Sequence, residues 1–289
     1  MIGPPDPSLV PGPAALSSLT TRCYDLPAWH TPSRMAYDRI VDRYDARMYH
    51  PLTREYYGHS GFQNYGYWRD DTRSQKEASG NLVAELAARL PKISGPVLDV
   101  ACGMGASTQL LLELLNPPGI VGINISAKQL ATARQNVPRG RFVLMDAANL
   151  AFADSRFGAV VCVEAAFHFR TREAFLREAY RVLQPGGTLV LSDIMSPRLL
   201  WRRGGVPENL VGNLAEYRNV YARAGYRDID IVDARERCWG GFYRNLTRWG
   251  WRKVRSHEVG LGFFLGTVLA WGVVGLLTKS YLLVSARRP

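Results

Sequence analysis

Between residues 95 and 193, short apolar runs alternate with stretches whose apolar positions recur every three or four residues. Pro96–Ala101, Gly119–Asn124, Arg141–Asp146, Phe157–Val163 and Thr188–Asp193 read as strands. Their apolar character is nearly continuous, as it must be when both faces of a sheet are covered. The stretches between them read as helices. Ala106–Leu115 is closed by Asn116-Pro-Pro-Gly119, and a second helix starts at a Ser126 cap and runs through Gln135. A third, Thr171–Leu183, keeps Glu173, Arg177 and Arg181 on its wet side and stops at Gln184-Pro-Gly-Gly187. Strand–helix alternation of this kind predicts an α/β fold with a doubly wound, mostly parallel sheet. Beyond it, Glu208–Ala224 reads as a helix, Asp228–Asp233 alternates like an edge strand, and Tyr281–Ala286 is a last strand, making seven.

The flanks differ in texture. Residues 1–32 are rich in Pro, Gly and Ser and are expected to be a flexible lead-in. Residues 33–94 are dense in rings (Tyr37, Tyr44, Tyr49, Tyr56, Tyr57, Phe62, Tyr65, Tyr67, Trp68) and read as a helical, aromatic lid. Within it Thr72–Leu90 carries the apolar stripe Ala78, Leu82, Ala84, Leu86 and Leu90. The core is expected over 95–233, an insert over 234–280, and the final strand over 281–289.

Composition narrows the class. Hydrophobic residues are 47% and charged residues 21%, which excludes a disordered or collagen-like chain. The cysteines at 23, 102, 162 and 238 fit neither a disulfide scaffold nor a zinc pattern, so a reducing cytoplasm is expected and no metal. The formal charge is +11, and residues 197–289 hold 16 basic and 7 acidic residues, so +9 of it lies in the last third. Such a bias fits a nucleic acid, an anionic membrane, an acidic substrate or simply a solvated face.

Ligands of a doubly wound sheet bind beyond the carboxyl ends of its strands. There the first strand runs into Asp99-Val-Ala-Cys-Gly-Met-Gly105-Ala-Ser-Thr108, with glycines that let backbone approach a ligand. The dinucleotide fingerprint wants a third glycine where this chain has Thr108, which disfavours a pyrophosphate. Val97-Leu-Asp-Val-Ala-Cys-Gly-Met-Gly105 resembles the first motif of class I S-adenosylmethionine-dependent methyltransferases, in their small-molecule, type 11-like branch. The resemblance continues in order through Asp146-Ala147, Ala153-Asp-Ser-Arg-Phe157, Arg181-Val-Leu-Gln-Pro-Gly-Gly-Thr-Leu-Val190 and Tyr281-Leu-Leu-Val-Ser-Ala-Arg-Arg-Pro289.

That resemblance implies S-adenosylmethionine as cofactor and a set of residues for it. Ala101, Cys102, Gly103 and Gly105 would hug its methionine part, with Asp99 holding the loop near the ammonium group. Asn124, where the family carries an acid, would take the ribose with Ile125 and Gln129 alongside. Asp146 and Ala147 would meet the adenine, the other reading of Asp146 being a helix cap. Tyr65, Tyr67 and Trp68 offer ring faces to a sulfonium or else pack on the core, Gln75 is a polar contact to the carboxyl end, and Glu164 lines the cofactor side or is buried.

The family's natural-product branch also implies a base after the fourth strand and an acid after the fifth. His168 and Asp193 match, with His168 taking an acceptor proton and Asp193 orienting it; the other reading of His168, set between two Phe, is packing. Glu164-Ala-Ala-Phe167 stands where base-modifying methyltransferases carry Asn/Asp-Pro-Pro-aromatic, so no nucleic-acid partner is expected. The expected reaction is methylation of a hydroxyl on a small lipophilic natural product. The rivals are carbon methylation of an isoprenoid or polyketide, a non-catalytic membrane module on this scaffold, and an NAD-dependent oxidoreductase.

The insert carries the charge excess. Arg235–Arg255 interleaves seven basic residues with Trp239, Phe242, Tyr243, Trp249 and Trp251, and Val259–Thr278 follows with 20 residues and no charge. That length reaches the ~20 apolar residues of a membrane span, yet a span would strand the last β-strand on the wrong side. The expectation is a hydrophobic cap over the acceptor pocket or an interfacial dip, with peripheral membrane contact through 235–278.

Overall fold

A computed structural model describes residues 34–195 and 209–289; the expected lead-in over 1–32 and the start of the expected 208–224 helix lie outside the described residues. Seven strands form one sheet: β1 (Val97–Val100), β2 (Ile120–Asn124), β3 (Arg141–Leu144), β4 (Phe157–Val163), β5 (Leu183–Met195), β6 (Arg227–Asp233) and β7 (Ser280–Arg287). Their order is β3-β2-β1-β4-β5-β7-β6. β1 to β5 are parallel, and β7 runs antiparallel between β5 and β6. This is the Rossmann-like doubly wound sheet the pattern predicts. Every residue of β1 and β2 is buried, which is why those strands show no alternation.

The helices are α1 (Arg34–Tyr49), α2 (Pro51–Tyr56), α3 (Gln75–Ala87), α4 (Ala106–Leu115), α5 (Ala127–Asn136), α6 (Arg172–Val182), α7 (Leu214–Arg223), α8 (Gly241–Arg255) and α9 (Leu261–Leu277). Their starts are written in the sequence. Ser74, Ser126, Thr171 and Asn213 each accept a backbone N–H from the first turn of α3, α5, α6 and α7. α3 buries Ala78, Leu82 and Leu86 of the expected stripe completely, and Val83 with them, while Ala84 and Leu90 are half-buried and Leu90 lies past the helix end.

The insert is a helical hairpin, not a membrane span. Among the described residues no helix is long and apolar enough to cross a membrane. α8 and α9 close a small aromatic core of Tyr56, Tyr57, Trp239 and Phe242, flanked by Tyr65, Trp249, Trp271 and Val274. Glycines set how closely the hairpin packs: a Cβ on Gly275 would lie 2.1 Å from Trp239 Nε1, whereas nothing lies within 4 Å of one on Gly266. Gly275→Ala is therefore expected to overpack this core and cost about 1–3 kcal/mol. Gly266→Ala should leave stability unchanged or raise it slightly. Thermal unfolding followed by circular dichroism separates the two; equal melting temperatures would mean that the hairpin is not seated on Trp239.

Candidate active site

The chain order reverses at the β1–β4 neighbourhood, the switch point of the sheet. There both strands leave the sheet through a residue in left-handed backbone, Ala101 at φ 60° and Glu164 at φ 53°. Non-glycine residues hold that conformation at a cost and concentrate at ligand sites. The departing chains bound a cavity of about 850 Å³. Ile40, Val41, Tyr44 and Met48 of α1 roof it, and the loop Gly61–Asn64 closes one flank.

The cavity collects much of the expected set: Ala101, Cys102, Gly103, Asn124, Ile125, Gln129, Asp146, Ala147, Glu164 and His168 all line it. Gly103 sits at φ 56°, and a Cβ there would come no nearer than 3.4 Å to protein, at Met48, so the space above it is free for a ligand. Asn124 turns its Nδ2 to Gln129 Oε1 at 2.8 Å and takes the Ile125 N–H on Oδ1 at 2.7 Å. One Nδ2 hydrogen is left over for a ligand. Asp146 lines the cavity, and its Oδ1 accepts the Ala148 N–H at 2.9 Å within a turn, so it caps no helix, contrary to the other reading of it.

Five expected residues are placed elsewhere. Asp99 is buried behind the loop, where its Oδ2 accepts from Ser107 at 2.8 Å and Thr108 at 2.6 Å. Thr108 thus spends on the loop a hydroxyl that a glycine would lack. Gly105, at φ 88°, serves packing: a Cβ would lie 3.0 Å from Val137 and 3.2 Å from Ala133 of α5. The Tyr65 ring turns away to Trp239, Phe242, Trp271 and Tyr281. Gln75 is buried in the lid, donating to the Asn64 carbonyl at 2.8 Å and accepting from Tyr56 at 3.0 Å. Asp193 is fully buried and paired with Arg172 Nε at 2.6 Å, and it accepts the Tyr217 hydroxyl at 2.7 Å. Its carboxylate makes no contact with His168; Arg172 takes it because a buried cation needs a partner.

His168 instead hydrogen-bonds the Tyr44 hydroxyl through Nε2. The ring exposes its surface to the cavity, while the surrounding protein and then Arg43 and Arg47 push its pKa below the usual value. It is a neutral imidazole at neutral pH. Burial pushes the Glu164 carboxyl up to about 7, even though its Oε2 accepts the Tyr65 N–H and the Tyr281 hydroxyl, each at 2.8 Å.

Three groups escaped the sequence reading. Asp45 of α1 accepts from Ser126 at 2.8 Å and Gln129 at 2.7 Å, bringing a carboxylate beside neutral Asn124. Gln63 and Asn64 line the cavity with Nε2 and Oδ1 buried and unpartnered. The ring-rich run around residue 65 drew attention to its aromatics, and its amides are what face the space. The hairpin, expected as a cap, contributes no lining residue among those described.

A methyltransferase-domain family matches residues 98–191, the span from β1 to β5 that builds this crevice. Erythromycin 3''-O-methyltransferase of Saccharopolyspora erythraea is 30% identical over 244 residues, covering 73% of this chain and 76% of that one. The O-methyltransferase cnsE of Penicillium expansum is 31% identical over 191 residues, 61% and 69% of the two chains. This chain belongs to the S-adenosylmethionine-dependent methyltransferases. The methyltransferase shares its fold with geranyl diphosphate C-methyltransferase from Streptomyces coelicolor, at a TM-score of 0.68 and 16% identity, over 91% of this chain and all of that one. The [4+2]-cyclase SpnF also has a TM-score of 0.68, with 22% identity, over 88% and 97%. At these identities the likeness concerns the fold.

Two measurements check the geometry. Asp193→Ala would leave the buried Arg172 charge unpaired and should cost about 3–5 kcal/mol in urea unfolding. Wild-type stability with lost turnover would return Asp193 to the site. Glu164 binds its proton more tightly folded than unfolded, so its contribution to stability is complete below about pH 4.5 and is lost as pH rises through about 7. The urea midpoint of Glu164→Gln should therefore fall less steeply over that window than the wild type's; identical slopes would mean that Glu164 titrates normally.

Proposed function

We propose that this methyltransferase transfers a methyl group from S-adenosylmethionine to a hydroxyl of a small lipophilic natural product, with His168 as general base. The observation that carries it is the His168 imidazole facing into the cavity that the Gly103 loop lines, its ring held by Tyr44. Methyl transfer is an in-line displacement, so an alcohol needs its proton removed as the carbon–oxygen bond forms. Tyr44 stays protonated, since burial pushes its pKa up to about 12, and serves as a positioning residue: its oxygen accepts the His168 Nε2–H, which leaves Nδ1 to take the acceptor's proton.

The residues present fit the cofactor. The unpartnered Gln63 Nε2 donor suits its carboxylate, as does the N-terminal turn of α4, whose Ala106 and Ser107 line the cavity. The unpartnered Asn64 Oδ1 suits its ammonium. Asn124 and Gln129 would hold the ribose, and Ile125, Asp146 and Ala147 the adenine. When bound, the cofactor supplies an electrophilic methyl on a sulfonium. Asp99 and Gly105 then act indirectly, by shaping the loop; Tyr65 and Gln75 brace the lid. Asp193 organises the chain beside His168 through Arg172, the first residue of α6. The lipophilic acceptor is supported by Ile40, Val41, Phe169 and Ala174 in the lining, and by relatives whose names point to natural products, erythromycin among them.

Host metabolite extract incubated with methyl-labelled cofactor should yield a product whose label resonates as an O-methyl. His168→Ala should lower turnover about 10²-fold with cofactor affinity retained. A C-methyl resonance together with near-wild-type turnover of His168→Ala would favour the carbon-methylating alternative, and no product with tight cofactor binding the non-catalytic one.

A further inference from the structure

α9 presents two unlike sides. Phe264 and Gly275 face inward and are buried, and Trp271 carries Arg47 of the lid helix over its ring at 5.3 Å. The outward side repeats Leu261, Leu265, Leu269, Val273 and Leu276 at helical spacing, and Leu269 is 70% and Leu276 84% exposed. Phe263 adds another exposed ring, and no residue of α9 carries a charge. An uncharged stripe of large side chains along a whole helix is not an ordinary solvated surface.

The neighbouring helix says what covers it. α8 exposes Arg244, Arg248, Trp251, Arg252 and Arg255 on one face. Arg248, Arg252 and Arg255 make no ion pair among the described residues, and half-exposed Trp251 touches Phe264 at the seam between the helices. An apolar face edged by unpaired guanidinium groups and a tryptophan complements a layer that is hydrocarbon inside and anionic at its surface. A second copy of the chain offers the same uncharged stripe and the same basic edge, so its charges would repel. α9 has 17 residues, and β7 returns directly into the sheet beside β5 and β6, so both ends of the hairpin stay on one side.

We infer that the outward faces of α8 and α9 form a docking surface that lies in the headgroup region of an anionic lipid bilayer. The apolar side chains enter the acyl boundary and the arginines pair with lipid phosphates. The lid helix then sits on the inner side of the docked hairpin, with Arg47 over the Trp271 ring.

The test is flotation of the full chain with phosphatidylcholine–phosphatidylglycerol vesicles and with pure phosphatidylcholine vesicles. The protein should float with the anionic vesicles at low salt, and much less with the neutral ones or at high salt. Leu269→Glu/Leu276→Glu and, separately, Arg248→Glu/Arg252→Glu should each weaken partitioning about tenfold or more. Both should keep the wild-type melting temperature, because all four side chains point to solvent. Protein that stays at the bottom at low salt, or variants that float like the wild type, would overturn the inference. So would a dimer that Leu269→Glu converts to monomer in protein that ignores vesicles, since a second copy would then own the face.

Discussion

Everything in this molecule is arranged around the point where β1 and β4 lie side by side and their chains leave in opposite directions. Two adjacent parallel strands whose connections diverge cannot be roofed by one another's helices, and a crevice follows. The chain accepts left-handed backbone at Ala101 and Glu164 to turn sharply away there. That strain is held by buried bonds behind it: Asp99 to Ser107 and Thr108 on one side, and the Glu164 N–H to Ser192 Oγ at 2.9 Å on the other. The lid narrows an opening that the sheet has already made.

Much of the sheet was legible because burial on both faces leaves a run of apolar letters that solvent-facing segments do not imitate. Helix starts were legible where a hydroxyl or amide could cap them, as at Ser126 and Thr171. Partners brought from afar were not. Asp193 ends a strand and looks the same in sequence whether it meets a ligand or Arg172, and only the way α6 is seated decides between them. Asp45 and Tyr44 lie on a helix with a weak apolar stripe, so no periodicity marks which of its faces meets the crevice. The uncharged run after residue 258 announced an unusual segment, yet not that its glycines meet Trp239 and Tyr243.

The two buried acids and the imidazole around the crevice show how one fold separates scaffold from chemistry. Asp193 has a guanidinium and a phenol on one oxygen, a fully satisfied arrangement that fixes the start of α6. His168, four residues before Arg172 in the chain, has one hydroxyl partner and open space. The rigid pair and the available ring belong to the same short stretch, so holding the first keeps the second aimed.

β7 fills a slot between β5 and β6, and it is the last of the seven to be synthesised. Until it emerges, β6 has no neighbour to bond with and β5 carries an open edge, because each pairs with β7 on that side. The chain must therefore hold two unsatisfied strand edges and the uncharged helix α9 while residues 234–279 are being made. A nascent chain in that condition is a natural client for chaperones, and expression yield should be limited at this stage rather than by the stability of the finished fold.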